Sequence, residues 1–130
     1  VIAGGYDKVF LMFGLNELGW SYSDVFIEDY GKIIDTLLNA NPDMEIYVQS
    51  LLPVSKERSD KNLYGVTNER IVEYNSMLKE LTEEKAVHYV DVYASMVTKD
   101  GTLDDSASPD GVHPNMDYCK VWVQYLREHC

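Results

Sequence analysis

The alternation of two hydrophobic periodicities is the feature that most constrains how this chain can fold. Three apolar runs rich in β-branched and aromatic residues predict strands at Val9–Phe13, Glu45–Leu52 and Val87–Val92. Between them, apolar residues recur at three- and four-residue steps from Val25 to Leu38 and from Ile71 to Leu81, which predicts a helix in each segment. Strands that alternate with helices are typical of parallel α/β units, because each helix returns the chain to begin the next strand.

Local signals predict where the helices begin. Ser23 or Asp24 is a plausible cap for the first helix, and Thr67 or Asn68 for the second. A last helix is predicted to open at Pro114, since proline costs no hydrogen bond at a first helical position. Its apolar face is formed by Tyr118, Val121, Trp122, Tyr125 and Leu126.

Two polar segments interrupt this pattern, Pro53–Val66 and Thr98–Pro109, and each follows a predicted strand. In open parallel sheets, the loops beyond the carboxyl ends of the strands build the binding site. We therefore expect these segments to form the walls of a pocket.

Length and charge narrow the class of protein. The 130 residues are sufficient for one domain, which we expect to span residues 1–130. A net charge of −11 disfavours binding to nucleic acid or anionic lipid. The sequence contains no run of 18 apolar residues, so it predicts no membrane span.

The string Asp110-Gly111-Val112-His113 stands just before the last predicted helix. An aspartate and a histidine three positions apart on a tight turn can meet side chain to side chain, so that the carboxylate orients an imidazole for general acid–base catalysis. The alternative is structural, because Asp-Gly favours turns and aspartate can bond its own backbone two residues on.

A second motif, Gly14-Leu15-Asn16-Glu17, follows the first predicted strand and places an amide side chain at its carboxyl end. Asn16 could instead cap the helix that follows. Together with Asp110 and His113, this motif resembles the SGNH (GDSL-type) ester hydrolases.

That resemblance implies a three-layer α/β/α domain of the flavodoxin-like SGNH hydrolase type, here truncated at its N-terminus to the last three parallel strands. It implies hydrolysis of carboxylic esters through an acyl-serine intermediate, without metal or cofactor. His113 would be the general base and acid, Asp110 would orient its ring, and Asn16 would donate to the oxyanion. Small-acyl esters of carbohydrates, lysophospholipids or simple alcohols all fit the family.

The chain also departs from the family pattern. The strand-Gly-Asp-Ser opening is absent, and Gly4-Gly5 lie too close to Gly14 to replace the family's upstream glycine. Glu17 stands where the family usually has aspartate, and Ser50 reads as part of an ordinary strand-to-loop segment. We therefore expect the chain alone to be nearly inactive. The Val9–Phe13 strand would then present an unpaired edge, so we expect self-association or pairing with an N-terminal segment.

The aromatic side chains beside the predicted loops, Trp20, Tyr22 and Tyr64, are candidates for contact with a sugar or acyl group, although packing at the rim of the site would explain them equally well. Two other functions remain open. One is a noncatalytic ligand-binding module that keeps the pocket without the nucleophile. The other is an acidic protein-interaction module on the same fold, in which Asp110 and His113 only form a turn.

Overall fold

A computed structural model describes residues 1–130. Its centre is a parallel sheet of three strands in the order β1-β2-β3, with β1 at Lys8–Leu11, β2 at Glu45–Gln49 and β3 at His88–Val90. Val9 pairs with Ile46, and Val48 pairs with Tyr89. The predicted parallel α/β architecture is confirmed, although each strand ends two or three residues before its predicted end.

The structure has four α-helices, and the first, α1, spans Ser23–Ala40. The others are α2 at Lys56–Lys61, α3 at Asn68–Lys85 and α4 at Met116–His129. Short 3₁₀ turns occur at Ile2–Gly4, Leu63–Gly65, Val92–Ser95 and Asp105–Ala107. None of the helices combines the length and the apolar character needed to cross a membrane.

The helix starts agree only in part with the sequence signals. Thr67 caps α3 and accepts a hydrogen bond from the Arg70 N–H, as predicted. The prediction for α1 was wrong, because its N-cap is Tyr22 and no side chain bonds there. The last helix starts later than predicted, because the Asn115 side chain accepts from two backbone N–H groups and so fixes the cap beyond Pro114.

The segment predicted as a loop at Pro53–Val66 contains the short helix α2. The Ser55 side chain caps this helix by accepting a hydrogen bond from the Arg58 N–H at 3.2 Å. The sequence analysis missed this helix because its six residues are all polar and give no apolar stripe.

Alternation along β2 separates the two faces of the sheet. Ile46 and Val48 point into a core of 16 buried residues shared with α1 and α3. Tyr47 points to the opposite face, where a smaller cluster packs against the partly buried side of α4. The helices thus form layers on both sides of the sheet, as predicted.

Two buried asparagines of α3 position the chain that leaves β2. Asn75 accepts a hydrogen bond from the Leu51 N–H at 2.7 Å and donates one to the Leu51 carbonyl at 3.0 Å. Asn68 makes the same pair of bonds to Val54, at 2.9 and 3.0 Å. These side chains satisfy the backbone of residues 51 and 54, and the Leu103 N–H adds a bond to the Val54 carbonyl at 2.9 Å.

Candidate active site

The Asp110–His113 turn brings the two predicted side chains into direct contact. His113 Nδ1 lies 2.6 Å from one carboxylate oxygen of Asp110. The other oxygen accepts hydrogen bonds from the N–H groups of Val112 and His113, at 2.9 and 2.8 Å, and from the Ser108 hydroxyl at 3.0 Å. The same residues therefore form both the turn and the side-chain pair, so the structural and the catalytic interpretations of this motif are compatible.

Glycine at position 111 is required by the backbone. Gly111 has φ of 77°, and a Cβ there would run into the Ser55 side chain. The Gly111 carbonyl also accepts a hydrogen bond from the Ser55 N–H at 2.9 Å. The turn that carries Asp110 and His113 is thus fixed against the start of α2.

The hydrogen bonds to Asp110 favour its ionised form. The His113 N–H lowers the pKa of the Asp110 carboxyl most, followed by the His113 ring and the Val112 N–H, so this pKa lies well below its ordinary value. An ionised carboxylate can only accept, so His113 Nδ1 is assigned as the donor of their shared hydrogen bond. The other ring nitrogen, Nε2, is then left as an acceptor.

Asn16 lies in the loop that follows β1. Gly14 opens this loop with φ of 128°, and the Tyr74 hydroxyl holds it by donating to the Glu17 carbonyl at 2.8 Å. The Asn16 side chain is exposed and makes no hydrogen bond within the chain. Because α1 starts only at Ser23, Asn16 does not cap that helix.

Asn16 and His113 line the same cleft, which has a volume of about 300 Å³. Its walls come from the loop after β1, the segment after β2 and the turn before α4. The apolar side chains among them include Met12, Phe13, Leu15, Leu51, Leu52, Val54, Val112 and Trp122. A second groove of about 440 Å³ opens on the same two side chains and on Arg58 and Tyr64. The structure therefore brings together residues that lie near opposite ends of the chain.

No serine, threonine or cysteine lines the cleft or this groove. Ser50 is fully buried, where its hydroxyl accepts from the Tyr93 N–H at 2.8 Å and lies 3.4 Å from an Asp91 carboxylate oxygen. A larger polar depression of about 790 Å³ lies elsewhere, between α2, α3 and the Asp100–Thr102 turn, and neither Asn16 nor His113 lines it.

The aromatic side chains of the site agree only in part with those singled out in the sequence, since Tyr64 lines the groove. Trp20 and Tyr22 are exposed and line neither the cleft nor the groove. Trp122 of α4 lines the cleft instead, and its indole N–H donates to the buried Gln49 side chain at 2.8 Å. The one sequence signal for this pair was a glutamine at the end of a mostly apolar strand.

Comparison with known proteins identifies the family. The family model described as GDSL-like Lipase/Acylhydrolase family matches residues 2–117. A comparison with curated proteins gives no significant match.

Several solved structures share the fold. A protein from Streptococcus pneumonia, provisionally described as a platelet activating factor, is 25% identical with a TM-score of 0.85, covering 96% of this chain and 60% of its own. A GDSL-like lipase from Bacteroides thetaiotaomicron is 18% identical with a TM-score of 0.78, covering 98% of this chain and 63% of its own. An acetylxylan esterase from Geobacillus stearothermophilus is 19% identical with a TM-score of 0.69, covering 99% of this chain and 61% of its own.

The chain thus spans about three fifths of the length of these structures, and nearly all of it superposes on them. The resemblance inferred from the two sequence motifs is confirmed by the family match, which includes both of them. This chain belongs to the GDSL-like lipase/acylhydrolase family.

Proposed function

We propose that this chain is the part of a carboxylic ester hydrolase that supplies the general base and the oxyanion donor of an acyl-serine mechanism. The observation that carries the proposal is the cleft lined by both Asn16 and His113. Family membership supports it, since the family is one of lipases and acylhydrolases.

The geometry of the Asp110–His113 pair suits proton transfer. With Nδ1–H held by Asp110, Nε2 of His113 accepts the proton of an attacking hydroxyl and later passes it to the departing alcohol. Water then attacks the acyl-enzyme, with His113 again taking and returning one proton. Asp110 stabilises the imidazolium that forms in each half of the reaction.

Asn16 is the proposed donor to the oxyanion. Its amide has no partner in the chain and borders the cleft, so its N–H groups are free to bond the oxygen of a tetrahedral intermediate. Removal of one such donor typically slows turnover by about 10²–10³. The apolar walls of the cleft suit the acyl group of a small ester, and one of the structural neighbours is an acetylxylan esterase.

The nucleophilic hydroxyl, we suggest, comes from a segment outside these 130 residues. The free edge of β1 supports this idea, because β1 pairs only with β2 and the nearby Phe10 and Phe13 side chains are 41% and 49% exposed. An unpaired strand edge with apolar neighbours invites a further strand. Self-association of the chain alone would use the same edge, and a strictly monomeric species in light scattering would count against this use of the edge.

The function can be tested in a gene product extended upstream of Val1, with 4-nitrophenyl acetate as substrate. We expect steady turnover, and His113→Ala should lower it by about 10⁴-fold or more. His129→Ala is the matched control, because His129 bonds only the Tyr125 carbonyl on α4 and lies outside the cleft.

The 130-residue chain itself should show almost no turnover. Burst release of nitrophenol by this chain, blocked by a serine-directed phosphonate, would contradict the proposed source of the nucleophile. Full activity of the His113→Ala variant in the extended product would contradict the hydrolase mechanism itself.

A second candidate is a noncatalytic module that binds an acylated ligand. The absence of any hydroxyl or thiol side chain from the cleft favours it. This alternative predicts saturable ligand binding by the extended product without any turnover, so the activity assay separates the two functions.

A further inference from the structure

The groove beside the Asn16–His113 pair holds an arginine, Arg58, that forms no ion pair with an acidic side chain. The chain has 22 acidic residues, yet no carboxylate oxygen lies within 4.0 Å of an Arg58 nitrogen. Arg58 Nε is fully buried without an acceptor in the chain, and one terminal nitrogen donates only a long bond of 3.4 Å to the Leu63 carbonyl. Nε lies out of a ligand's reach, but the terminal nitrogens retain donor capacity that the acceptors of a ligand in the groove can satisfy.

Tyr64 is the aromatic residue of the same groove. Its side chain is 85% exposed, and its backbone has φ of 60°, which is rare for a tyrosine. The backbone around it is fixed, because Gly65 and Gly19 approach so closely that a Cβ on either would clash with the other's segment. The ring is therefore presented to solvent from a rigid, strained turn next to the loop that carries Asn16.

The cleft and the groove would hold the two sides of the proposed ester. The 300 Å³ cleft is mostly apolar, whereas the 440 Å³ groove carries Arg58, Tyr64 and Asp110, and Asn16 and His113 line both. If the apolar cleft receives the acyl group, the groove receives the alcohol. An exposed aromatic ring beside a charged fork of donors matches a sugar that bears an anionic group.

We infer that Arg58 and Tyr64 form an alcohol-side subsite for a sugar that carries a carboxylate, with Arg58 bonding the carboxylate and Tyr64 packing on the ring. A monoanion fits better than a phosphate dianion, because Arg58 is the only cationic side chain of the groove and Asp110 is also present. This inference rests on the proposed function in one respect, namely the assignment of the groove to the alcohol side of the ester.

The subsite can be tested on the 130-residue chain by calorimetric titration with two matched probes, methyl glucuronoside and methyl glucoside. Measurements at about 0.15 M salt limit the long-range repulsion from the net charge of −11, since the Debye length is then about 8 Å. We expect the glucuronoside to bind on the order of tenfold more tightly or better, in line with a charge-assisted hydrogen bond.

Variants test whether Arg58 and Tyr64 are responsible for binding of the two probes. Arg58→Gln should reduce glucuronoside binding to the level of the glucoside, and Arg58→Lys should retain part of the difference. Tyr64→Asn, which tolerates the left-handed backbone, should weaken both probes by a similar factor. Arg127→Gln removes the same charge from α4, outside the groove, and should leave both affinities unchanged.

Equal affinity for the two probes, no detectable binding of either, or an unaltered preference in a folded Arg58→Gln variant would overturn the inference. These outcomes leave the hydrolase proposal intact, because 4-nitrophenyl acetate has no carboxylate. Conversely, an extended product that binds glucuronoside through Arg58 but lacks esterase activity would contradict the hydrolase and leave the subsite in place.

Discussion

The face of the sheet that packs on α1 and α3 has a core of 16 buried residues, whereas the opposite face has a cluster of seven, none of which belongs to α4. Ile34 and Leu78 of the first face are completely inaccessible, while Trp122, Tyr125 and Leu126 of α4 are only partly buried against the second face. Hydrophobic stabilisation scales with the apolar area removed from water, so the first face supplies most of it.

The weaker face nevertheless contributes to the candidate site. The Asp110–His113 turn leads directly into α4, and Trp122 of that helix forms part of the cleft wall. The stronger face contributes through backbone support, since Asn75 and Asn68 of α3 fix the segment after β2. The difference suggests that one face makes the scaffold stable and that the other, less deeply buried, is adapted to a ligand or a further segment of chain.

The largest effect should come from opening a cavity in the α1/α3 core. We expect Leu78→Ala to lower the free energy of unfolding by about 2–5 kcal/mol, because Leu78 is fully buried. Leu126→Ala on α4, whose partly buried side chain packs against the smaller cluster, is the matched test of the other face and should cost less, about 1–2 kcal/mol. Urea unfolding followed by circular dichroism measures both, and equal losses would refute the difference between the faces.

An intermediate effect is expected where α3 supports the cleft wall. Asn75→Ala leaves the buried N–H and carbonyl of Leu51 without partners, which should cost about 2–3 kcal/mol. Ser76→Ala is the control, because its hydroxyl only bonds the Val72 carbonyl on an exposed helix surface. A loss below about 0.5 kcal/mol for the Asn75 variant in urea unfolding would show that this support is dispensable.

The smallest effect should be the acid sensitivity of the turn before α4. The pKa of Asp110 in the folded chain is below its ordinary value, chiefly because the His113 N–H donates to it. As the pH falls below about 4, Asp110 is therefore protonated in the unfolded chain before it is protonated in the folded chain. The contribution of Asp110 to folding stability is complete at higher pH and is lost as the pH falls.

Asp110→Asn should remove this part of the pH dependence. Unfolding in urea between pH 3 and pH 7 would show it as a smaller drop in stability for the variant than for the parent chain. Asp100→Asn is the comparison, since the Asp100 carboxylate makes no hydrogen bond in the chain. If both variants followed the parent curve, the hydrogen bonds of Asp110 would carry no net stability.

Much of the fold could be predicted because it depends on local patterns. The three strands and the helices α1, α3 and α4 follow from apolar periodicity, and the Thr67 cap follows from residue type. Helix α2 could not be predicted in this way, because it has no apolar face and depends on the Ser55 cap held against the Gly111 turn.

The candidate site divides in the same way. The contact between Asp110 and His113 is encoded locally, since three residues and one tight turn bring the two side chains together. Trp122 was recognised only as part of an apolar helix face, and Arg58 gave no signal in the sequence. Trp20 and Tyr22 were proposed from their closeness to a loop, but the direction of a loop depends on what packs beneath it.

The sequence by itself determined the order of strands and helices and the internal geometry of the Asp110–His113 turn, because both arise from interactions between residues close along the chain. Only the tertiary structure decided that Asn16 faces the same cleft as His113 and that Arg58 and Tyr64 adjoin it. Parallel strand pairing and the asparagine bonds of α3 create that proximity. Both join residues that lie far apart along the chain, so no short stretch of sequence predicts them.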